Sequence, residues 1–361
     1  MKEGWEYRIF ESCLVKVPKQ VQVKSKDYKK EGNFPIVSQE AELISGYWDD
    51  ETIVYKHKEP VVIFGDHTKN IKYVDFDFIV GADGTHILST KKDISPKFFY
   101  YVLKSIKLRE LGYARHYKLL KEKYIPVPPL SEQQSIVDYL DTAFAKIDAM
   151  KANAEKRLNE AKALFQASLK EMLEPKEGWE EKTLKEICRV INGRAYSKDE
   201  MLKQGKYRLL RVGNFFTNDS WFYSDLELEE DKYCDNGDLL YAWSASFGPR
   251  IWDGEKVIYH YHIWKIVCSE KIDKYFMYYW LDSDELKKQT MTNLHGATMA
   301  HITKGIIEAA FVRFPSLSKQ QYIVATLDSL KSKVDCLKAN YDKISQECDA
   351  LKQAILRQVF E

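Results

Sequence analysis

Two histidines two positions apart, His260 and His262 in Val257-Ile-Tyr-His-Tyr-His-Ile-Trp264, are the side chains whose spacing could hold a metal. Side chains two apart on a strand share a face, so both imidazoles would point the same way. A metal centre needs three or four ligands, and none stands at a spacing that completes this one. The six cysteines (Cys13, Cys188, Cys234, Cys268, Cys336 and Cys348) include no C-x-x-C pair. That argues against a zinc ribbon or a disulfide framework, and for buried thiols in a reducing compartment. There is no G-x-x-x-x-G-K-[ST] phosphate loop, and Gly81-Ala-Asp-Gly84 is a lone glycine pair that reads as a turn. The chain is read as non-catalytic, with no metal and no cofactor of its own.

The chain has 361 residues, 45% hydrophobic and 30% charged, which suits two to three globular domains rather than disorder. No apolar run reaches the roughly 20 residues needed to cross a bilayer. Met1-Lys-Glu-Gly-Trp5 lacks the apolar stretch of a secretion signal. A soluble, cytoplasmic protein is expected. Its 55 basic and 54 acidic residues exclude a uniformly basic coat, while leaving room for a local basic face.

What positions these residues is a duplication. Lys2-Glu-Gly-Trp5 recurs as Lys176-Glu-Gly-Trp179, and Pro128-Pro-Leu-Ser-Glu-Gln-Gln134 returns as Pro315-Ser-Leu-Ser-Lys-Gln-Gln321. The second copy is longer by 13 residues, all between its Trp and its Pro. Each copy opens with an aromatic-rich part holding β-like runs (Val61–Phe64, Phe76–Val80, Val257–Trp264), turn signals and helical pieces near 96–110 and 273–289. Each then closes with one long helix. In the second copy Ile323, Leu327, Leu330, Val334, Leu337, Tyr341, Ile344, Cys348, Leu351 and Ile355 follow an unbroken 4-3 spacing, a coiled-coil seam. The first copy places Ile136, Leu140, Ala143, Ile147, Met150, Ala154, Arg157, Ala161, Leu164 and Ser168 on the matching seam. Ser131 with Gln134, and Ser318 with Gln321, fit an S-x-x-Q helix start, and Glu174-Pro175 stops the first helix.

The fold class is therefore α+β: two similar mixed α/β domains separated by two long antiparallel coiled-coil helices, with a pseudo-two-fold internal repeat. The expected divisions are a first head at 1–130, a first helix at 131–175, a second head at 176–317 and a second helix at 318–361. Each helix would be roughly 60 Å long at 1.5 Å per residue, giving a dumbbell. Phe144, Phe165, Leu169 and Phe360 lie outside the strict seam, where they would either anchor a partner or pack against the heads.

Two related heads at a fixed spacing suit duplex DNA, as in dimeric readers whose geometry sets half-site separation. The layout of head, helix, head, helix resembles the specificity subunit of a type I restriction-modification enzyme. So do Pro-Pro-Leu-Ser-Glu-Gln-Gln, Gly81-Ala-Asp-Gly-Thr-His86, Tyr207-Arg-Leu-Leu-Arg-Val-Gly-Asn-Phe215 and Tyr259-His-Tyr-His-Ile-Trp264. The resemblance covers essentially the whole chain. It implies two target-recognition domains that each read one part of a split, asymmetric double-stranded target. It also implies helices that set the spacing and recruit two methyltransferase (modification) subunits, with restriction (motor-nuclease) subunits in the full complex and no membrane. S-adenosylmethionine would sit in the partner methyltransferase, which would flip the target adenine. An adenine methyltransferase site of the chain's own is not expected, because Val127-Pro-Pro-Leu130 lacks the polar residue and the aromatic of Asp/Asn-Pro-Pro-Tyr/Phe. Two departures stand out. Lys319 replaces the usual Glu, and the chain begins almost at its Gly-Trp, which would weaken closure between its two ends. A coiled-coil adaptor without DNA specificity is the alternative.

Contact candidates come from loop segments that combine cations, amides and aromatics. In the first head these are Lys26, Lys29, Lys30, Ser38, Gln39, His67, Lys69, Arg115 and Lys118. In the second they are Arg208, Arg211, Asn214, Ser244, Ser246, Arg250, Thr298 and His301. His86 and His262 fall at corresponding places and read as structural or DNA-facing. Residues 1–130 carry a net charge of +4 and residues 176–317 carry −2, so the second head would need segregated charge.

Overall fold

A computed structural model describes residues 2–361 except 113, 217, 218, 245 and 292–301; at 246 and 291 the backbone alone is described. The chain divides into two compact units, residues 1–155 with 340–361, and residues 156–339. The cut falls inside both long helices, so each unit is one head plus a stretch of each helix.

In the first unit the head runs β1 (Glu6–Ile9), β2 (Leu14–Val15), β3 (Gln22–Val23), β4 (Phe34–Val37), β5 (Gly46–Trp48), β6 (Val61–Gly65), β7 (Ile71–Val74), β8 (Ile79–Gly81), β9 (Thr85–Thr90), α1 (Pro96–Ser105), α2 (Tyr117–Lys121) and β10 (Tyr124–Val127), and the helix α3 (Leu130–Leu173) follows. Three sheets result: β1-β10, β2-β9-β6-β7 and β3-β8-β4-β5. The apolar run of β6 is buried at every residue. It pairs with β7 and β9, and α1 packs beneath through Phe98, Phe99 and Val102.

The second unit repeats the plan with β11 (Glu180–Thr183), α4 (Leu184–Ile187), β12 (Cys188–Asn192), β13 (Tyr207–Leu210), α5 (Val212–Phe216), β14 (Phe222–Ser224), β15 (Tyr233–Cys234), β16 (Leu239–Ser244), β17 (Ser246–Ile251), β18 (Val257–Tyr259), β19 (Ile263–Cys268), α6 (Lys274–Asp282), α7 (Asp284–Met291), α8 (Lys304–Ala309), β20 (Phe311–Phe314) and α9 (Leu317–Phe360). Its sheets are β11-β20, β12-β19-β16-β17 and β14-β13-β18-β15. Strand for strand these match the first unit, with one exception. The edge beside β8 is β3, parallel and from before β4, whereas the edge beside β18 is β15, antiparallel and from after β14.

The run Val257–Trp264 differs from the single strand its alternation predicts. It breaks at His260–His262, because β18 belongs to one sheet and β19 to the other. Registers also correct the pairing of His86 with His262. Leu14 opposes Thr90 and Cys188 opposes Cys268; counting back from those pairs sets His86 against Trp264, two residues beyond His262.

The repeated glutamines explain how the heads hold their helices. Gln133 is fully buried. Its Oε1 accepts from Ser95 N at 2.8 Å, and its Nε2 donates to Asp93 O at 2.9 Å and Pro128 O at 2.8 Å. Gln320, equally buried, accepts from Asp273 N at 2.8 Å and donates to Lys271 O at 3.0 Å and Pro315 O at 2.9 Å. Ser95 and Asp273 are the N-caps of α1 and α6, so one amide locks two helix starts together. Tyr101 to Asp141, and Tyr279 to Asp328 at 2.6 Å, repeat a second lock. The predicted S-x-x-Q cap is not formed. Each helix begins one residue ahead of its serine, and Gln134 instead donates to Asp138 at 2.8 Å.

Within the first unit α3 and α9 run antiparallel. Lys352 meets Asp148 at 2.5 Å, Lys151 meets Asp349 at 3.5 Å, and Cys348 Sγ donates to Ile147 O at 3.8 Å. The first-copy seam is corrected at alternate positions. Met150, Arg157 and Leu164 are exposed, while Leu158 is buried and Phe144, Lys151 and Phe165 turn inward. The head side of α3 competes with the partner helix for its apolar face, which rotates the buried stripe by one residue. In the second copy only Leu351 leaves the expected stripe for the exposed side. Chain ends meet in the first unit: Lys2 Nζ donates to Gln358 O at 3.4 Å and to Val359 O, placing a cation on the last carbonyls of α9. Phe360 packs edge-on against Phe98.

Cys13, Cys188, Cys234 and Cys348 are buried, Cys268 is half-buried, and Cys336 is exposed, against the expectation for that last thiol. Among the described residues no helix is long and apolar enough to cross a membrane.

Candidate nucleic-acid interface

In the first head the β6–β7 hairpin and the segments at 38–39, 84–86 and 115–118 converge on one carboxylate. Asp66 is 3% exposed. Tyr117 N donates to its Oδ1 at 2.7 Å, His86 Nε2 lies 3.3 Å from Oδ2, and Arg115 Nε lies 3.9 Å away. Its carbonyl accepts from His116 N at 2.8 Å. Burial opposes the charge, yet the Tyr117 N–H and the His86 ring outweigh it and hold the carboxyl below its usual range. Asp66 thus fixes His86, whose ring stacks on Tyr117 at 4.0 Å, and leaves Arg115 projecting into solvent, its side chain 78% exposed.

Gln39 ties the hairpin tip from the other side. Its Oε1 accepts from His67 N at 3.1 Å, and its carbonyl accepts from Thr68 Oγ1 at 2.6 Å and Asn70 Nδ2 at 2.9 Å. Gly65 is required here, since a Cβ would stand 2.4 Å from Thr68 Oγ1. Lys69, in the left-handed region at φ 59°, pairs with Glu110. Lys118 is exposed beside Arg115. Lys26 and Lys30 are exposed, whereas Lys29 is held by Asp49 at 2.6 Å and lies over Trp48. Ser38 is buried, and its hydroxyl meets Ser45 Oγ at 2.7 Å. Contrary to expectation it is closed off from a groove, and its hydroxyl serves the strand end instead.

In the second head Arg211, Asn214, His260 and His262 come together around a recess beside α5. The rings of His260 and His262 are 4.8 Å apart, so they do converge, although across a bend rather than along a strand. Burial, with His262 and Arg211 adding to it, pushes the His260 imidazole down to about 4, so the ring is neutral at pH 7. Asn214 Nδ2 donates to Ser220 O at 2.8 Å. Arg208 lies 3.2 Å from Glu255 and over the Trp221 ring. Two candidates are corrected. Arg250 donates to Phe215 O at 2.6 Å and to Asp253 at 2.8 Å and lies over the Trp252 ring, so its guanidinium is used in holding α5. Ser244 is buried at the end of β16. The backbone of Ser246 opposes Ser244 in the β16–β17 hairpin. Thr298 and His301 lie outside the described residues.

The four proposed partner anchors are spent within the units. Phe144 packs edge-on against Tyr101, and Phe165 lies tilted against Tyr279. Leu169 is 3% exposed in the core of the second unit, and Phe360 sits on Phe98. Of the two roles open to them, packing against the heads is the one they fill. Among the described residues no group of three or more His, Cys, Asp or Glu is placed to hold a metal.

Two mixed heads of one topology, each followed by a 44-residue helix, define a duplicated two-domain recognition architecture. The profile of the family described as "Type I restriction modification DNA specificity domain" matches residues 3–160 and 176–346, and the chain belongs to that family. It is 23% identical over 198 residues to the EcoBI specificity subunit of Escherichia coli, covering 54% of this chain and 41% of that protein. It is 30% identical over 198 residues to the EcoR124I/EcoR124II specificity subunit of Escherichia coli, covering 51% and 48%. The chain thus spans about half the length of these curated relatives. Among solved structures, a chain from a study of complex assembly and conformational transition in the type I R-M system aligns over 100% of this chain and 98% of its own, with a TM-score of 0.74 and 18% identity. The fold is the one found there. Neither the fold nor the family match supports the adaptor alternative.

Sequence reasoning missed Asp66 as the organiser of its cluster and missed the approach of Arg211 to the two histidines. The signal for the first was the closeness of Asp66 to His67 and Lys69 within one polar turn. For the second there was none, since residues 211 and 260 are joined only by the parallel pairing of β13 with β18.

Proposed function

We propose that this chain is the sequence-specific DNA-recognition subunit of a type I restriction-modification enzyme. Each head reads one part of a bipartite, asymmetric target. The long helices set the spacing and receive two methyltransferase subunits, with restriction subunits in the full assembly. The chain supplies address and no chemistry. S-adenosylmethionine belongs to the partner methyltransferase, and the assembly works in the cytoplasm. The observation that carries this reading is the match of both halves to the DNA specificity family.

In the first head the exposed cations Lys26, Lys30, Arg115 and Lys118 suit phosphate contacts, and His67, Lys69 and Gln39 stand at the β6–β7 tip. In the second, Arg211 suits a phosphate contact, with Asn214 and Arg208 as the neighbouring polar candidates. Methylome sequencing of a host with and without the gene tests the whole: one split adenine-methylated motif should vanish on deletion. Exchanging residues 1–125 for another head should then change one half-site and keep the other. A simultaneous change in both would end the modular reading, and no lost motif would end the DNA reading.

A further inference from the structure

The recess in the second head has a volume of about 250 Å³ and lies between the Arg211–Asn214 segment and the His260–His262 turn. Its charge is unbalanced. Arg194, Arg208 and Arg250 of this head each have a carboxylate partner, at 2.7, 3.2 and 2.8 Å. Arg211 has no ion pair among the described residues, and none of the residues lining the recess is acidic. Its guanidinium sits 5.3 Å over the Phe222 ring. A guanidinium held against a ring face by its charge keeps N–H groups that can donate elsewhere. His260 is kept neutral by burial and by its neighbours, so it adds no charge at neutral pH, and Arg211 is the permanent cation of the lining. The described residues of the first head are arranged differently: there the loop cluster is built around the buried carboxylate of Asp66, which lies 3.9 Å from Arg115.

We propose that the recess is an anion site that takes one phosphodiester of the DNA backbone, with Arg211 as the two-pronged donor and His262 at its rim. A phosphodiester carries one negative charge and two free oxygens, which matches one guanidinium edge. The inference rests on the DNA-recognition reading for the source of the phosphate, though not for the existence of the site. Arg211 then anchors the second head in position, and base choice is left to other side chains.

The test uses the full chain, wild type, Arg211→Gln and Arg211→Lys, with duplexes of pooled sequence across a salt series. Arg211 is exposed, so neither variant opens the core. Loss of one phosphate contact lowers the slope of log affinity against log salt by about one and weakens all sequences alike. Arg211→Gln should do this and leave the preferred target unchanged, while Arg211→Lys restores the slope. An unaltered slope overturns the proposal, as does a relaxed preference at one base pair, which would make Arg211 a base reader. Inorganic phosphate, titrated while the histidine ring resonances are followed, separates this inference from the wider one. Should the wild-type chain bind no duplex at all, DNA recognition fails. Ring shifts of His260 and His262 that vanish in Arg211→Gln would still establish the anion site, and their absence in the wild type would remove it.

Discussion

A buried glutamine is tolerated only when both ends of its amide are met. Gln133 and Gln320 each meet three backbone groups, and those groups belong to the segments that start α1 or α6 and to the proline ahead of the long helix. Removing the amide would strand a buried N–H and two carbonyls, each costing about 1–3 kcal/mol if left unsatisfied. Gln133→Ala is therefore expected to destabilise the first unit, and Gln320→Ala the second, by about 3 kcal/mol. Gln134→Ala, on the exposed side, should change stability by less than about 0.5 kcal/mol. Denaturant midpoints of the three variants decide it, and equal effects at 133 and 134 would refute the locking role. The doubled Gln-Gln motif was visible in the sequence as a repeat. Which glutamine mattered was not, because that depends on each helix starting one residue before its serine. The same blindness affected Ser38, Ser244 and Arg250: polar loop residues look available until the carbonyls and carboxylates they satisfy are placed around them.

At the scale of single elements, hydrophobic spacing shows that a helix has a buried face but not which neighbour orients it. The second helix carries large residues throughout its seam, and nine of the ten expected positions hold; Leu351 alone is exposed. The first helix is rich in alanine there. Leu158, Phe144 and Phe165, one residue aside, reach further and decide the rotation. Two seams thus make opposite forecasts. Leu158→Ala should cost about 2–4 kcal/mol, as for other buried leucines, while Met150→Lys and Leu164→Lys, at positions 60% exposed, should stay within about 0.5 kcal/mol. Thermal or denaturant unfolding of the three variants tests this, and a costly Leu164→Lys would reinstate the seam through 150, 157 and 164. The strand run at 257–264 shows a related limit. Its alternation of residues is sound, but a run that serves two sheets must bend, and the bend falls at the histidines whose convergence the spacing had suggested.

For the whole molecule, duplication was legible and its consequences largely followed, since two copies of one sequence plan gave two copies of one topology. The strand that closes the β3-β8-β4-β5 sheet is where the copies diverge, drawn from before β4 in one head and after β14 in the other. An edge strand contributes one ladder and little core, so it can be replaced without disturbing the rest. The long helices have no such freedom. Each of α3 and α9 passes from one unit into the other, so any change of length must be made twice to keep the antiparallel register seen at Asp148–Lys352 and Lys151–Asp349. If the helices set the distance between half-sites, adding seven residues to each at matching heights keeps the 3.5-residue seam in phase. It also lengthens both by about 10 Å at 1.5 Å per residue, which is roughly three base pairs at 3.4 Å each. The methylated motif should then keep both half-sites and gain about three base pairs between them. An insertion in one helix alone should misalign the seam and abolish modification. An unchanged spacer with both helices lengthened would show that the distance is set elsewhere, and the helices would then be scaffolding for partner subunits rather than a ruler.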